Sequence, residues 1–182
     1  LMTETELTDR CKTGDNLARK ELYERFAERM LCLCYRYAGD EETAHDLLHD
    51  GFLKVFSSIS SFTYRGEGSL RAWLSRVFAN VSLEYLRHKD LLRDGLPLDE
   101  LPELPDEEEP DANGLSMDIL MAFVAELPPG YRTVFNLYVF ERWSHREIAH
   151  SLHINEASSA SQLNRARRLL VTRIKEQLKK TE

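Results

Sequence analysis

Apolar residues recur at helical spacing through most of the chain, and no stretch alternates with period two for long enough to predict a strand. Thr3-x-x-Glu6 has the form of a capping box and predicts a helix start. Leu22, Phe26, Met30, Leu33 and Tyr37 follow at helical spacing. Asp40 is placed to cap a third helix, in which Ala44, Leu47, Leu48, Phe52, Val55 and Phe56 form one stripe. Ser57 to Gly68, rich in Ser and Gly, predicts a loop. Ser69 then caps a long helix with Leu70, Leu74, Val77, Val81 and Tyr85 turned inward.

The pattern resumes at Ser116, which opens a helix carrying Met117, Leu120, Met121 and Val124 until Pro128-Pro129 stops it. Tyr131, Val134, Phe135 and Tyr138 mark the next helix. Ser144-x-x-Glu147 is a second capping box, opening a short helix with Ile148, Ala149 and Leu152. The turn His153-Ile154-Asn155 leads into a last helix, capped by Asn155, whose inner face holds Leu163, Leu170 and Ile174. A short helix, a three-residue turn and a longer helix is the layout of a helix-turn-helix. The small Ala149 lets its two helices approach closely.

Charge separates the two helical stretches. The net charge of −7 is concentrated between residues 94 and 115, which hold 9 acidic side chains, no basic one and four of the six prolines. Like charges repel and proline removes donors, so packed structure is not expected there. The expected fold is all-α: two small helical domains, 1–93 and 116–182, joined by an acidic flexible linker, 94–115, with the C-terminal domain a helix-turn-helix. With the linker set aside, residues 116–182 are mildly basic, with 10 basic against 7 acidic side chains. That balance suits a nucleic-acid partner that the overall charge argues against.

The remaining chemistry is sparse. Cys11, Cys32 and Cys34 are read as reduced thiols and apolar filler, since an odd, small number in a chain without a leader does not build a disulfide framework. Residues two apart on a helix point about 200° from each other, so Cys32 and Cys34 do not share a metal. His45-Asp-Leu-Leu-His49 puts two imidazoles one turn apart, near the zinc-protease pattern, but Asp replaces Glu and no convincing third ligand follows. There is no Gly-rich phosphate loop and no nucleophile elbow. We expect no enzyme, no cofactor, no metal and no small-molecule substrate. No apolar run nears the roughly 20 residues that span a bilayer, and the expected location is cytoplasmic.

The last helix begins with an unusual outer face: Ser158, Ser161, Gln162, Arg165 and Arg168 lie three to four residues apart. Short hydroxyls can approach phosphates at a helix N-terminus, Gln suits adenine, and Arg suits guanine or phosphate. A polar face is also what any solvated helix shows, so this feature does not decide the matter alone.

Taken together, the motifs resemble the extracytoplasmic-function (ECF) sigma factors of RNA polymerase, over nearly the whole chain. Leu127-Pro-Pro-Gly-Tyr-Arg-Thr-Val-Phe-Asn-Leu-Tyr138, Trp143-Ser-His-Arg-Glu-Ile-Ala149 and Ser161-Gln-Leu-Asn-Arg-Ala-Arg167 resemble that family's promoter-reading domain. Asp46-Leu-Leu-His-Asp-Gly-Phe-Leu-Lys-Val-Phe56 resembles its polymerase-binding helix, and Arg65-Gly-Glu-Gly-Ser-Leu-Arg-Ala-Trp-Leu-Ser-Arg-Val-Phe-Ala-Asn80 its promoter-melting segment. The resemblance implies that Asp46, His49, Asp50 and Lys54 meet the coiled-coil clamp of the large subunit of core RNA polymerase. It implies that Arg76, Asn80 and Glu84 face the −10 element, while the loop with Phe62, Tyr64 and Arg65 holds an extruded base. Ser158, Ser161, Gln162, Asn164, Arg165 and Arg168 would read the −35 element of promoter DNA. An anti-sigma factor is the further partner it implies.

Three departures mark this chain. His153 stands in the turn where the family commonly has Gly, Ala157 and Ala160 where Gly and a basic residue are frequent, and His49 where Gln is usual. They leave the promoter sequence open. Two other readings keep the same fold: a stand-alone helix-turn-helix regulator, and a decoy that binds polymerase without reading DNA.

Overall fold

The structure, a computed structural model, describes residues 1–89, 92 and 112–181. It is all-α, with no strand among the described residues, and divides into two compact units, Leu1–Tyr85 and Leu86–Glu182. Most of the segment read as the acidic linker, residues 94–111, lies outside the described residues.

The first unit holds α1 (Glu4–Lys12), α2 (Asn16–Ala38), α3 (Glu41–Ser58) and the greater part of α4 (Ser69–His88). Local chemistry sets the helix starts. Thr3 accepts from the Glu6 N–H, Asp15 from Leu17 and Ala18, and Asp40 from Thr43. Asp15 also accepts from Arg10 Nε at 2.7 Å, and this bond, before its backbone bonds, holds its carboxyl below the usual range. Gly39, at φ 84°, ends α2 in the left-handed conformation that glycine adopts without strain.

The predicted stripes of α2 and α3 are buried, from Leu22 to Tyr37 and from Ala44 to Val55, with Phe56 half-buried. Cys11 and Cys34 are core filler; burial raises both thiols, that of Cys34 to about 12. Cys32, two residues before Cys34, is exposed, which corrects its reading as filler and follows from the angular step between them.

Two expectations change in this unit. The segment from Ser57 is not loop until Phe62: α3 runs to Ser58 and a 3-10 turn covers Ile59–Ser61. Its serines return their hydroxyls to helical carbonyls, Ser57 and Ser58 to Lys54 and Ser61 to Ser58, while Ile59 is buried. In α4 the inward stripe is Leu70, Leu74, Phe78, Ala79, Ser82 and Leu83, and Val77, Val81 and Tyr85 are half-buried beside it. The cause lies on α3. A Cβ at Gly51 would stand 2.0 Å from Phe78 Cε1, so only glycine there lets the ring seat directly over the helix. Phe78 then meets Phe52 edge-on at 5.2 Å, and Phe52 packs in turn on Tyr23 and Phe56.

In the second unit a 3-10 turn (Ala112–Gly114) precedes α5 (Met117–Ala125), capped by Ser116, and α6 (Pro129–Phe135), which starts on Pro129. Met117, predicted inward, is 66% exposed at the first position of its helix. Beyond α6 the chain continues through a π-helical turn, Asn136–Phe140, which leaves Tyr138 at the surface rather than in the predicted stripe. Val124, Leu127, Tyr131, Ala166 and Leu170 form the core, flanked by Phe123, Phe135 and Leu169. Arg132 is buried with it, and its Nη1 donates to the carbonyls of Ala125 (2.7 Å) and Leu127 (3.3 Å). A guanidinium thus closes the C-terminal end of α5, where orphan carbonyls favour a cation.

The helix-turn-helix comprises α7 (His145–Leu152), the turn at 153–155 and α8 (Glu156–Thr181). Both halves of the Ser144–Glu147 capping box form. His153 takes φ 54° and ψ 42°, the left-handed conformation for which a glycine is usual.

Candidate nucleic-acid interface

The N-terminal end of α8 is fixed by two polar devices. Asn155 Oδ1 accepts from the Ser158 N–H at 2.7 Å. Ser159, fully buried on the inner face, shares a 2.9 Å hydrogen bond with His145 Nδ1, and the His145 ring stacks on Tyr138 at 4.6 Å. The bond ties the first residue of α7 to α8 across the turn and holds α8 at a set angle to α7. Sequence reasoning missed Ser159; the signal was a hydroxyl in register with Leu163, Ala166 and Leu170.

Outside that anchor, Asn155, Ala157, Ser158, Ser161, Gln162 and Arg165 line a shallow concavity of about 370 Å³. Four of the predicted base-reading residues therefore come together. Asn164 is exposed and Arg168 half-buried on the same helix, outside the concavity. The Arg165 guanidinium lies over the Tyr131 ring at 5.9 Å, which aims a cation without neutralising it. Ala160 is exposed and adds no charge to this face.

In the first unit Arg76, Asn80 and Glu84 lie at one-turn intervals along α4, with Asn80 and Glu84 exposed. Arg65 is exposed and Tyr64 is 37% exposed in the loop before it, where Gly66 (φ 116°) and Gly68 (φ 82°) make the bends. Phe62 departs from its expected role: only 6% exposed, it packs on Trp73 at 5.2 Å and roots the loop in the core. A ring so placed is not open to a base.

Asp46, His49, Asp50 and Lys54 are all exposed on α3. They share their stripe with Leu53, a residue the sequence pattern does not single out, which is 57% exposed. His45 is exposed one turn before His49, and among the described residues no three His, Cys, Asp or Glu side chains are grouped to hold a metal.

Residues 22–91 match sigma-70 region 2, and residues 117–170 match sigma-70 region 4. The chain belongs to the sigma-70 family, in its ECF subfamily. It is 30% identical over 169 residues to the ECF RNA polymerase sigma factor SigE of Mycolicibacterium smegmatis, spanning 87% of this chain and 63% of that one. It is 27% identical over 184 residues to the ECF RNA polymerase sigma-E factor of Haemophilus influenzae, spanning 95% of this chain and 96% of that one. CnrH, solved in complex with the cytosolic domain of CnrY, shares the fold at a TM-score of 0.50 and 19% identity, over 93% of this chain and 96% of that one. The family's members are sigma factors, which direct promoter-specific initiation; both DNA-facing regions are matched in this chain, which sets aside the stand-alone regulator. No catalytic activity is indicated for the family. Among the described residues no helix is long and apolar enough to cross a membrane.

Proposed function

We propose that this chain binds core RNA polymerase through the α3 stripe, with Leu53 as the apolar anchor and Asp46, His49, Asp50 and Lys54 around it. The partner surface is the coiled-coil clamp of the large subunit. The row Arg76, Asn80 and Glu84 faces the −10 element, and Tyr64 and Arg65 hold an extruded base. Extrusion costs a few kcal/mol of stacking, which an aromatic and a cation repay in part. The concavity on α8 reads the −35 element through Ser158, Ser161, Gln162 and Arg165, with Asn164 and Arg168 at its margin. Domain 1–93 performs the first two tasks and domain 116–182 the third. Linking them raises the effective concentration of the second contact once the first is made.

The observation that supports this most is the joint presence of regions 2 and 4 in order, each with a polar row at its surface. Run-off transcription with sigma-free core polymerase on genomic fragments tests it. Defined transcripts that appear only on adding this chain are expected; tight core binding without transcripts would point to a decoy.

An anti-sigma partner belongs to the same proposal. CnrH was solved with the cytosolic domain of CnrY, and a protein covering the α3 stripe and the α8 concavity would block both polymerase and promoter. The acidic segment 94–115 lowers the affinity of the free chain for DNA by repelling phosphate. Neutralising its carboxylates should tighten binding of the free chain to DNA, and unchanged binding would remove this element.

A further inference from the structure

A line of polar contacts runs from α2 through the start of α1 to the loop before α4. Residue 2 is clamped on α2: Glu21 Oε1 accepts the Met2 N–H at 2.9 Å, and Arg25 Nη2 donates to the Met2 carbonyl at 2.8 Å and pairs with Glu21. The Met2 N–H, and after it Arg25, hold the Glu21 carboxyl below its ordinary range. Two residues on, Glu4 opens α1, and its carboxylate accepts the Gly68 N–H at 3.3 Å, 64 positions away in the chain. Arg25, Glu4 and Gly68 line the same open cleft.

The loop has other anchors. Phe62 packs on Trp73, the Arg65 N–H donates to Ser69 Oγ at 3.2 Å, and the Ser69 N–H donates to the Gly66 carbonyl at 3.1 Å. Ser69, expected as the cap of α4, is thus its first residue and turns its hydroxyl to the loop, while the Gly68 carbonyl accepts the Ala72 N–H at 3.0 Å. Each of these contacts ties the loop to α4 or to itself. Gly66 and Gly68 both stand at positive φ, so the two bends of the loop carry no side chain to restrict them. The bond from Glu4 fixes the second bend from a different helix.

We propose that Glu4 is a positioning residue: backed by the Met2 clamp, it holds the bend at Gly68 and so presets the loop that carries Tyr64 and Arg65. This rests on the base-holding role proposed for that loop. A preset loop pays its ordering cost on folding and not when the base arrives, so the bond acts on the rate of duplex opening rather than on the affinity of the closed complex. Leu7 and Cys11 are fully buried, so α1 stays docked when the Glu4 side chain is cut back.

The test begins with the free full chain. Amide exchange at Gly68 should quicken about tenfold in Glu4→Ala, with the amides of α2 and the thermal midpoint unchanged. Holoenzyme is then assembled on a promoter found by run-off transcription, with 2-aminopurine in its −10 element. Glu4→Ala should slow the opening step about three- to tenfold at unchanged closed-complex affinity. Glu4→Gln keeps an acceptor of the same reach without its charge and should recover about half of that loss on a logarithmic scale, which a loss of fold would not allow. Glu21→Ala, which frees Met2, should slow opening in the same direction and by less. Wild-type exchange at Gly68 in Glu4→Ala, or opening at the wild-type rate, would overturn the proposal and leave the sigma-factor reading intact. A fall in closed-complex affinity as large as the fall in rate would make Glu4 a DNA contact and overturn the positioning role. Wild-type chain that opens no promoter with core polymerase would overturn the reading of the loop, and the proposal with it.

Discussion

In the first unit the row Arg76, Asn80 and Glu84 stands on a helix whose other side is packed by Phe78, Phe52 and their aromatic neighbours. In the second, the concavity at the start of α8 stands on hydrogen bonds: Ser159 to His145, Asn155 to Ser158, and Arg132 to the end of α5. Apolar packing is insensitive to direction and resists deformation, which suits the duplex-opening role proposed for this face. Hydrogen bonds fix an angle, which suits the groove-reading role proposed for α8. The two materials fail differently, and substitutions can separate them.

The largest effect is expected at Phe78. Phe78→Ala removes a fully buried ring whose seat is shaped by Gly51, so the surroundings cannot collapse to fill it. We expect a loss of about 3–5 kcal/mol in the first unit. Hydrogen exchange resolved by residue should show lost protection in α3 and α4 and unchanged protection in α8. Equal losses in both units would mean that they do not respond as separate bodies.

Arg132→Met makes the opposite cut. Methionine keeps much of the volume but leaves the carbonyls of Ala125 and Leu127 without their charged donor. Hydrogen bonds to charged groups are worth about 1.5–3 kcal/mol, so the second unit should lose about that much while polymerase binding through α3 stays intact. Exchange protection in α5 and α6, measured beside core-binding affinity, checks both halves.

Arg132 also shows where the sequence stops being legible. Its charge reads as surface, and only the tertiary placement of two carbonyls makes it a core residue. The helix starts were legible because a cap is local: Thr3, Asp40, Ser116, Ser144 and Asn155 each act within three residues. The register of α4 was not, because its choice of Phe78 over Val77 is made by Gly51 on another helix. Of the candidate sites, the polar face of α8 was legible from helical spacing, whereas the rows on α3 and α4 came only from the resemblance to the ECF sigma factors. Phe62 was not legible, since an aromatic in a loop serves equally as anchor or as stacking surface until its neighbour Trp73 is placed.

A functional contrast is expected to be smaller. Arg165→Ala should cost about 1–3 kcal/mol on promoters with their own −35 element and much less on a template whose −35 element is scrambled. Arg76→Ala should cost similar amounts on both, because the −10 contact proposed for it is used either way. Open-complex formation measured on the paired templates separates the two faces; an equal loss from Arg165→Ala on both would make it a phosphate-binding residue instead.

The smallest effect carries the opposite sign. His153 holds φ 54° at the turn of the helix-turn-helix, where a side chain with a Cβ is strained by roughly 1 kcal/mol. His153→Gly relieves that strain but gives the unfolded chain more freedom, so the net gain should be about 0.5 kcal/mol. For a unit of this size that is a rise of about 2–4 °C in the thermal midpoint of the second unit. The angle between α7 and α8 is held by the His145–Ser159 bond rather than by the turn residue, so −35 affinity should not change. A loss of affinity together with a higher midpoint would mean that the exposed imidazole of His153 touches the promoter itself, and that the strain is kept for that purpose.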